Sequence, residues 1–188
     1  MKTTAAASAI QKPVPAPPPV PEDAAAAMAK RFEQVFQQAF APDAPVSAGP
    51  GRRRLFITLA HHDAPTLNRE AAAHWATRGL PASALGPWFA ATGLEKKKDL
   101  FVALQLSAST LSRAKAGTTL DPAVTERMLR QSDLFVRAAE VFGDEGAAWM
   151  TQPHDLLGGK APLAYAANEF GGAKVRQILN AIEYGGVV

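Results

Sequence analysis

A chain of 188 residues with 47% hydrophobic content accommodates one ordinary domain or two small ones around a real core. It has no cysteine, which excludes disulfide scaffolds, thiolate catalysis and Cys-based zinc sites and fits a reducing cytosol. The net charge of +3 divides into a basic front, with 14 Lys/Arg against 8 Asp/Glu over residues 1–120, and an acidic rear, with 6 against 9 over 121–188; this division suits different partners for the two halves.

Nine of the fifteen prolines lie in the first 50 residues, and the run Pro13 to Pro21 favours an extended chain that cannot bury a core. Residues 1–21 are therefore expected to form a disordered Pro/Ala-rich tail. Between Glu22 and Ala41, Met28, Phe32, Val35, Phe36 and Phe40 recur at helical spacing, with Glu22 and Asp23 suited to a helix start. This stripe either packs on its own domain or docks on another subunit. A second linker contains Pro42, Pro45, Gly49, Pro50 and Gly51. The basic cluster Arg52-Arg53-Arg54 then precedes Leu55-Phe56-Ile57, which reads as coil or a short strand.

From Thr66 onward the pattern predicts helices to the end, near 66–78, 82–91, 95–104, 107–116, 122–142, 145–151, 162–169 and 172–183. Prolines and glycines from Pro81 to Gly171-Gly172 supply the punctuation. The fold class expected is all-α: a helix-turn-helix domain over 66–120 and a small helical domain over 121–188, preceded by an amphipathic helix and linker over 22–65. No stretch approaches the roughly 18 apolar residues of a membrane helix, and the Ala-rich start lacks a signal-peptide core. A cytoplasmic location is expected.

Leu100, Leu104, Leu106 and Leu111 are spaced as the inward residues of two short helices joined at Gln105-Leu106. The second helix, capped by Ser107, presents Ser109, Thr110, Ser112, Arg113 and Lys115, the small donors and cations that contact phosphates and base edges. Lys96, Lys97 and Lys98 either add phosphate contacts or form a solvated face. Phe101 stands where such motifs usually carry a small residue, and Gln105 where they usually carry glycine.

In the rear half, Val124, Met128, Phe135, Ala139 and Phe142 form the core stripe of a long helix that Gly143 ends. Trp149 fills the groove beside the next helix, Gly158-Gly159 permits a tight turn, Pro162 opens a helix, and Val175, Ile178, Leu179 and Ile182 bury the last one. Each of these has a packing role of its own.

Taken in order, Arg127 to Asp144, Ala147 to Met150, Gln152-Pro153, Leu156 to Leu163 and Val175 to Gly185 resemble the toxin-binding domain of the Xre/MbcA/ParS antitoxin family. With the helix-turn-helix, the resemblance extends back to about residue 66. It implies an antitoxin whose partner is a RES-domain toxin that degrades NAD or ADP-ribosylates a protein, held inactive when the last helix and tail cover its active site. It further implies a dimer that represses its own operon by binding promoter DNA. The toxin-binding residues implied are Trp149, Lys160, Lys174, Arg176, Asn180, Glu183, Tyr184, Gly185, Gly186, Val187 and Val188. Phe170-Gly171-Gly172 departs from the family by standing in place of a shorter connection, and the tail has an extra glycine.

No catalytic constellation is present in the sequence. His61, His62, His74 and His154 do not assemble with a further ligand pattern, so neither a metal nor a cofactor is expected, and there is no nucleophile elbow or phosphate-cradling loop. The expectation is a binding protein and not an enzyme. The alternative is a free-standing helix-turn-helix transcription regulator without a toxin partner.

Overall fold

The computed structural model describes residues 23–40, 54–59, 62–107, 109 and 117–186. The Pro-rich tail, most of the Arg52 to Arg54 cluster, His61, Leu111 and most of the helix expected at 107–116 lie outside the described residues. The described chain is mostly helical, in line with an all-α class, with one small hairpin added.

The elements in chain order are α1 (Asp23–Phe40), β1 (Phe56–Leu59), β2 (His62–Leu67), α2 (Arg69–Arg78), α3 (Leu85–Thr92), α4 (Lys97–Leu104), α5 (Pro122–Phe142), α6 (Gly146–Thr151), α7 (Pro162–Tyr165) and α8 (Glu169–Tyr184). The long helix begins and ends where the sequence places it: Asp121 accepts a hydrogen bond from the Ala123 amide at 2.7 Å, Pro122 occupies the first turn, and Gly143 closes the helix at φ 60°. Thirteen of its 21 residues are buried, so α5 must be walled on several sides. α1, α2, α4, α6 and α8 all pack against it.

The amphipathic stripe of α1 packs on its own chain. Phe32 and Phe36 are completely buried, Phe32 lying 6.3 Å from both Trp88 and Phe135, and Phe36 lying 5.4 Å from Trp75, measured between ring centroids. The Trp88 indole donates to Ser132 Oγ at 2.9 Å, and that hydroxyl donates to the Met128 carbonyl at 2.7 Å. The Trp88 indole nitrogen, buried within this aromatic cluster, is thus satisfied, as burial requires.

The hairpin is the main departure from the expected pattern. β1 and β2 pair antiparallel, Phe56 opposite Leu67, with an irregularity after Thr58, so Thr66 and Leu67 are in a strand and α2 starts later, at Arg69. Glu33 of α1 explains why the chain turns here: its Oε2 accepts from the amides of Leu55 at 2.7 Å and Phe56 at 3.2 Å. The Asn68 amide then donates to the Leu55 carbonyl at 2.7 Å, and the Asn68 side chain caps α2.

After α4 the chain makes a tight turn at Gln105-Leu106. The Leu106 amide donates to the Phe101 carbonyl at 3.1 Å and the Gln105 amide to Val102, the bonding of a Schellman cap. Arg127 Nε donates to the Leu104 carbonyl at 2.9 Å. The turn requires a left-handed residue, and Gln105 supplies it at φ 50°, alone among the described non-glycine residues. A side chain in that region costs about 1–2 kcal/mol. Gln105→Gly, relieving this strain against a small gain in unfolded-state entropy, is expected to stabilise the protein by up to about 1 kcal/mol, measured by urea unfolding; a lower stability would mean that the Gln105 side chain makes a compensating contact.

Candidate functional site

α8 is the C-terminal element of the described fold, and its sequence prepares a helix. Asn168 caps it by accepting from the Gly171 amide at 2.9 Å, Glu169 suits the positive end of the helix dipole, and Val175, Ile178 and Leu179 are wholly buried. The helix starts earlier than the sequence suggests. Phe170, Gly171 and Gly172 form its first turn and not a connection, because the two glycines are needed for contact: a Cβ on Gly171 would come within 1.9 Å of the Tyr165 carbonyl oxygen, and one on Gly172 within 2.7 Å of Arg130 Cδ.

Three arginines set α8 against α5. Arg130, with a side chain only 5% exposed, donates through Nε to the Ala166 carbonyl at 3.2 Å and through Nη2 to Ala167 at 3.1 Å. It also pairs with Glu126 and lies 3.9 Å from Glu169. Gln131 Nε2 donates to the carbonyls of Leu163 and Ala166, so two adjacent side chains of α5 capture the end of α7. Arg176 of α8 returns a bond to Asp133 at 2.5 Å. Arg137 pairs with Glu140 and Glu183, donates to Asn180 Oδ1 at 3.0 Å, and sits 5.9 Å from the centroid of the Tyr184 ring. Burial opposes the charge of Arg137, yet the hydrogen bonds it donates to Glu183 and Glu140, and their charges, outweigh it and raise its pKa. It remains a fixed cation at every physiological pH.

Along this ladder runs a groove of about 430 Å³ between α2 and the α5–α8 pair. Its apolar lining comes from Ala72, Ala73, Ala76 and Leu129, with Pro65 to Leu67 of β2 at its side and Arg69, Arg130, Arg137, Arg176 and Tyr184 among the residues that charge or flank it. Tyr184 is 67% exposed, so its ring is not absorbed into the core of its own domain.

Of the residues that the sequence marks for toxin contact, the structure brings Arg176, Asn180 and Tyr184 into this groove, and Glu183 beside it through Arg137. Lys174 contacts Gln177 at 3.4 Å on α8. Trp149 is elsewhere, stacked on Phe142 at 5.2 Å and edge-on to His154 at 5.8 Å, and exposed Lys160 pairs through its backbone with His154. Gly185 takes a left-handed conformation, and the Gly186 amide donates to Ala181, closing α8. Val187 and Val188 lie outside the described residues. Of the DNA-contact set, Ser107 and Ser109 are exposed, their hydroxyls 2.8 Å apart; Thr110, Ser112, Arg113 and Lys115 lie outside the described residues.

Sequence reasoning missed Arg69, Arg130, Asp133 and Arg137. A signal for three of them was present: Glu126, Asp133 and Glu140 repeat every seven residues on α5, and Arg130 and Arg137 repeat at the same interval between them. Such a charged stripe on a helix that is otherwise buried demands opposite charges from a neighbouring element.

Residues 137–185 match the family model described as the antitoxin Xre/MbcA/ParS C-terminal toxin-binding domain. The match starts at Arg137 and ends at the cap of α8, supports an antitoxin role and implies a toxin partner. No curated protein and no solved structure matches the chain.

Removing the Arg130 guanidinium takes the Arg130 donor from the Ala167 carbonyl, leaves the Ala166 carbonyl to Gln131, and opens space beneath Gly172. Arg130→Ala is expected to cost about 3–5 kcal/mol. Glu126→Gln, at a half-exposed partner, should cost no more than about 1 kcal/mol. Denaturant unfolding of both variants checks the contrast; equal effects would place the stabilisation in the ion pair and not in the carbonyl contacts.

Proposed function

We propose that this chain is an antitoxin that neutralises a RES-type toxin, one that consumes NAD or ADP-ribosylates a protein, by covering its active site with α8 and the residues that follow it. The observation that carries this reading is the match of residues 137–185 to an antitoxin toxin-binding domain. The exposure of Tyr184 at the end of α8 supports it, because a large ring with a polar tip is the type of side chain that anchors interfaces. Gly185 and Gly186 leave room for the backbone to approach another surface closely. In this reading residues 121–188 serve the toxin and 66–120 serve DNA, the protein acting as a dimeric repressor of its own operon in the cytoplasm. The Schellman turn after α4, with exposed Ser107 and Ser109 beyond it, supports the DNA role.

Co-expression with a RES-type toxin encoded beside this chain tests the central claim: cell growth and NAD levels should recover with the full chain. The chain truncated after Glu183 should stay folded and bind DNA yet leave the toxin active. Neutralisation by the truncated chain as strong as by the full one would move inhibition to another surface of residues 121–183. Failure of the full chain to neutralise would favour a free-standing transcription regulator.

The DNA role has its own test. Arg113→Ala combined with Lys115→Ala should weaken promoter binding and lower the slope of log affinity against log salt by about two units, roughly one for each lost phosphate contact, with neutralisation intact. An unchanged slope would remove the segment 107–116 from the DNA interface.

A further inference from the structure

We infer that the toxin is gripped not by α8 alone but by the whole groove, with α2 as its second wall and Arg69 as the cation that receives a carboxylate of the toxin. This rests on the antitoxin reading above and extends the contact surface beyond residues 137–185, to which the family match is confined.

Three observations carry it. The groove is continuous with the matched segment: Arg137, Arg176, Asn180 and Tyr184 form one side, and Arg69, Ala72, Ala73 and Ala76 of α2, outside the match, form the other. Its volume, about 430 Å³, falls in the range of roughly 300–1,000 Å³ typical of ligand pockets; such a space admits a few inserted side chains of a docking segment and not a whole helix. Its charges are already matched, with one exception. Arg130, Arg137 and Arg176 are neutralised by Glu126, Glu140, Glu183 and Asp133, whereas exposed Arg69 has no carboxylate partner among the described residues.

Arg69 is also poorly placed for its own helix. It occupies the first turn of α2, where the dipole favours an anion and a cation is unfavourable. A carboxylate from outside relieves both deficits and adds a paired contact at the rim, while the alanines let the partner's apolar side chains approach the α2 backbone closely. The complementary surface is therefore a toxin segment with small apolar side chains and an Asp or Glu aligned with Arg69. Charge pairing at a rim acts mainly on specificity and association rate, so the contact should be salt-sensitive.

The test is calorimetric binding of the full chain to the co-expressed RES-type toxin, with Arg69→Glu, Arg69→Lys, Ala73→Trp and, as a control on α1, Lys30→Ala. Arg69 and Ala73 are exposed, so melting temperatures should stay near that of the unsubstituted chain. The expected result is a loss of about tenfold or more in affinity for Arg69→Glu and for Ala73→Trp, a smaller loss for Arg69→Lys, and none for Lys30→Ala. If Ala73→Trp alone proves unstable, Arg69→Glu decides. Full affinity in Arg69→Glu, with binding lost on truncation after Glu183, would overturn the role of α2 and leave the antitoxin reading intact. No binding by the unsubstituted chain would overturn both.

Discussion

The buried guanidinium of Arg130 is the contact on which the placement of the last helix depends. It lies on α5, is nearly inaccessible to water, and addresses two backbone carbonyls at the end of α7 while its methylene stem fills the space that Gly172 leaves open. A charge in that position costs several kcal/mol in desolvation unless its hydrogen-bonding capacity is met. The fold meets it with Glu126 and with two carbonyls at a helix end, Ala166, shared with Gln131, and Ala167. One side chain therefore resolves two problems, and it does so only when α7 ends, and α8 begins, at one particular distance from α5.

The glycines make that distance reachable. Gly171 passes the Tyr165 carbonyl and Gly172 passes Arg130 at separations that no Cβ tolerates. Gly146 does the same farther along α5, where a Cβ would meet the Ala138 backbone at 2.6 Å. α5 is thus approached closely at two places by glycine-bearing helix starts. Glycine inside a helix costs about 1 kcal/mol relative to alanine, and here the cost is offset by packing that a larger residue would prevent.

These contacts explain which features were legible in the sequence. α5 could be read to its ends because Asp121, Pro122 and Gly143 are local signals and its apolar stripe is continuous. The turn after α4 was legible in position, and glycine is usual where Gln105 stands, but that Gln105 itself takes up the left-handed backbone is seen only in the structure. The start of α8 was misread because Gly171-Gly172 looks like a break when only the sequence is known. Its reason, the approach to Tyr165 and Arg130, is tertiary. The hairpin was hidden for a similar cause: β2 lacks apolar alternation and contains Pro65, which argues against a central strand, and what fixes it is Glu33, distant in sequence, receiving the amides of Leu55 and Phe56. Within the groove, Arg176, Asn180 and Tyr184 were identified on α8, whereas the α2 wall was not, because nothing local to residues 69–76 reveals that α8 lies across from them.

The division of labour along the α5–α8 seam follows from magnitudes. Burying Val175, Ile178 and Leu179 supplies about 1.5–3 kcal/mol for each fully buried side chain, whereas a partly exposed ion pair such as Arg176–Asp133 contributes about 0–1 kcal/mol. Stability of the seam is therefore mainly apolar, together with Arg130. The remaining pairs act on alignment: Asp133 with Arg176, and Arg137 with Asn180 and Glu183, match the two parallel helices turn by turn, and a slip of one turn along the seam would leave several half-buried charges facing the wrong neighbours. What the ladder fixes is the angular position of α8, and with it the direction of Tyr184. Arg137 engages Glu140, Glu183 and Asn180 at once and stands against the Tyr184 ring, so the exposed aromatic is held by a cation that does not titrate. A partner that docks on Tyr184 meets a ring already oriented and loses little side-chain entropy on binding.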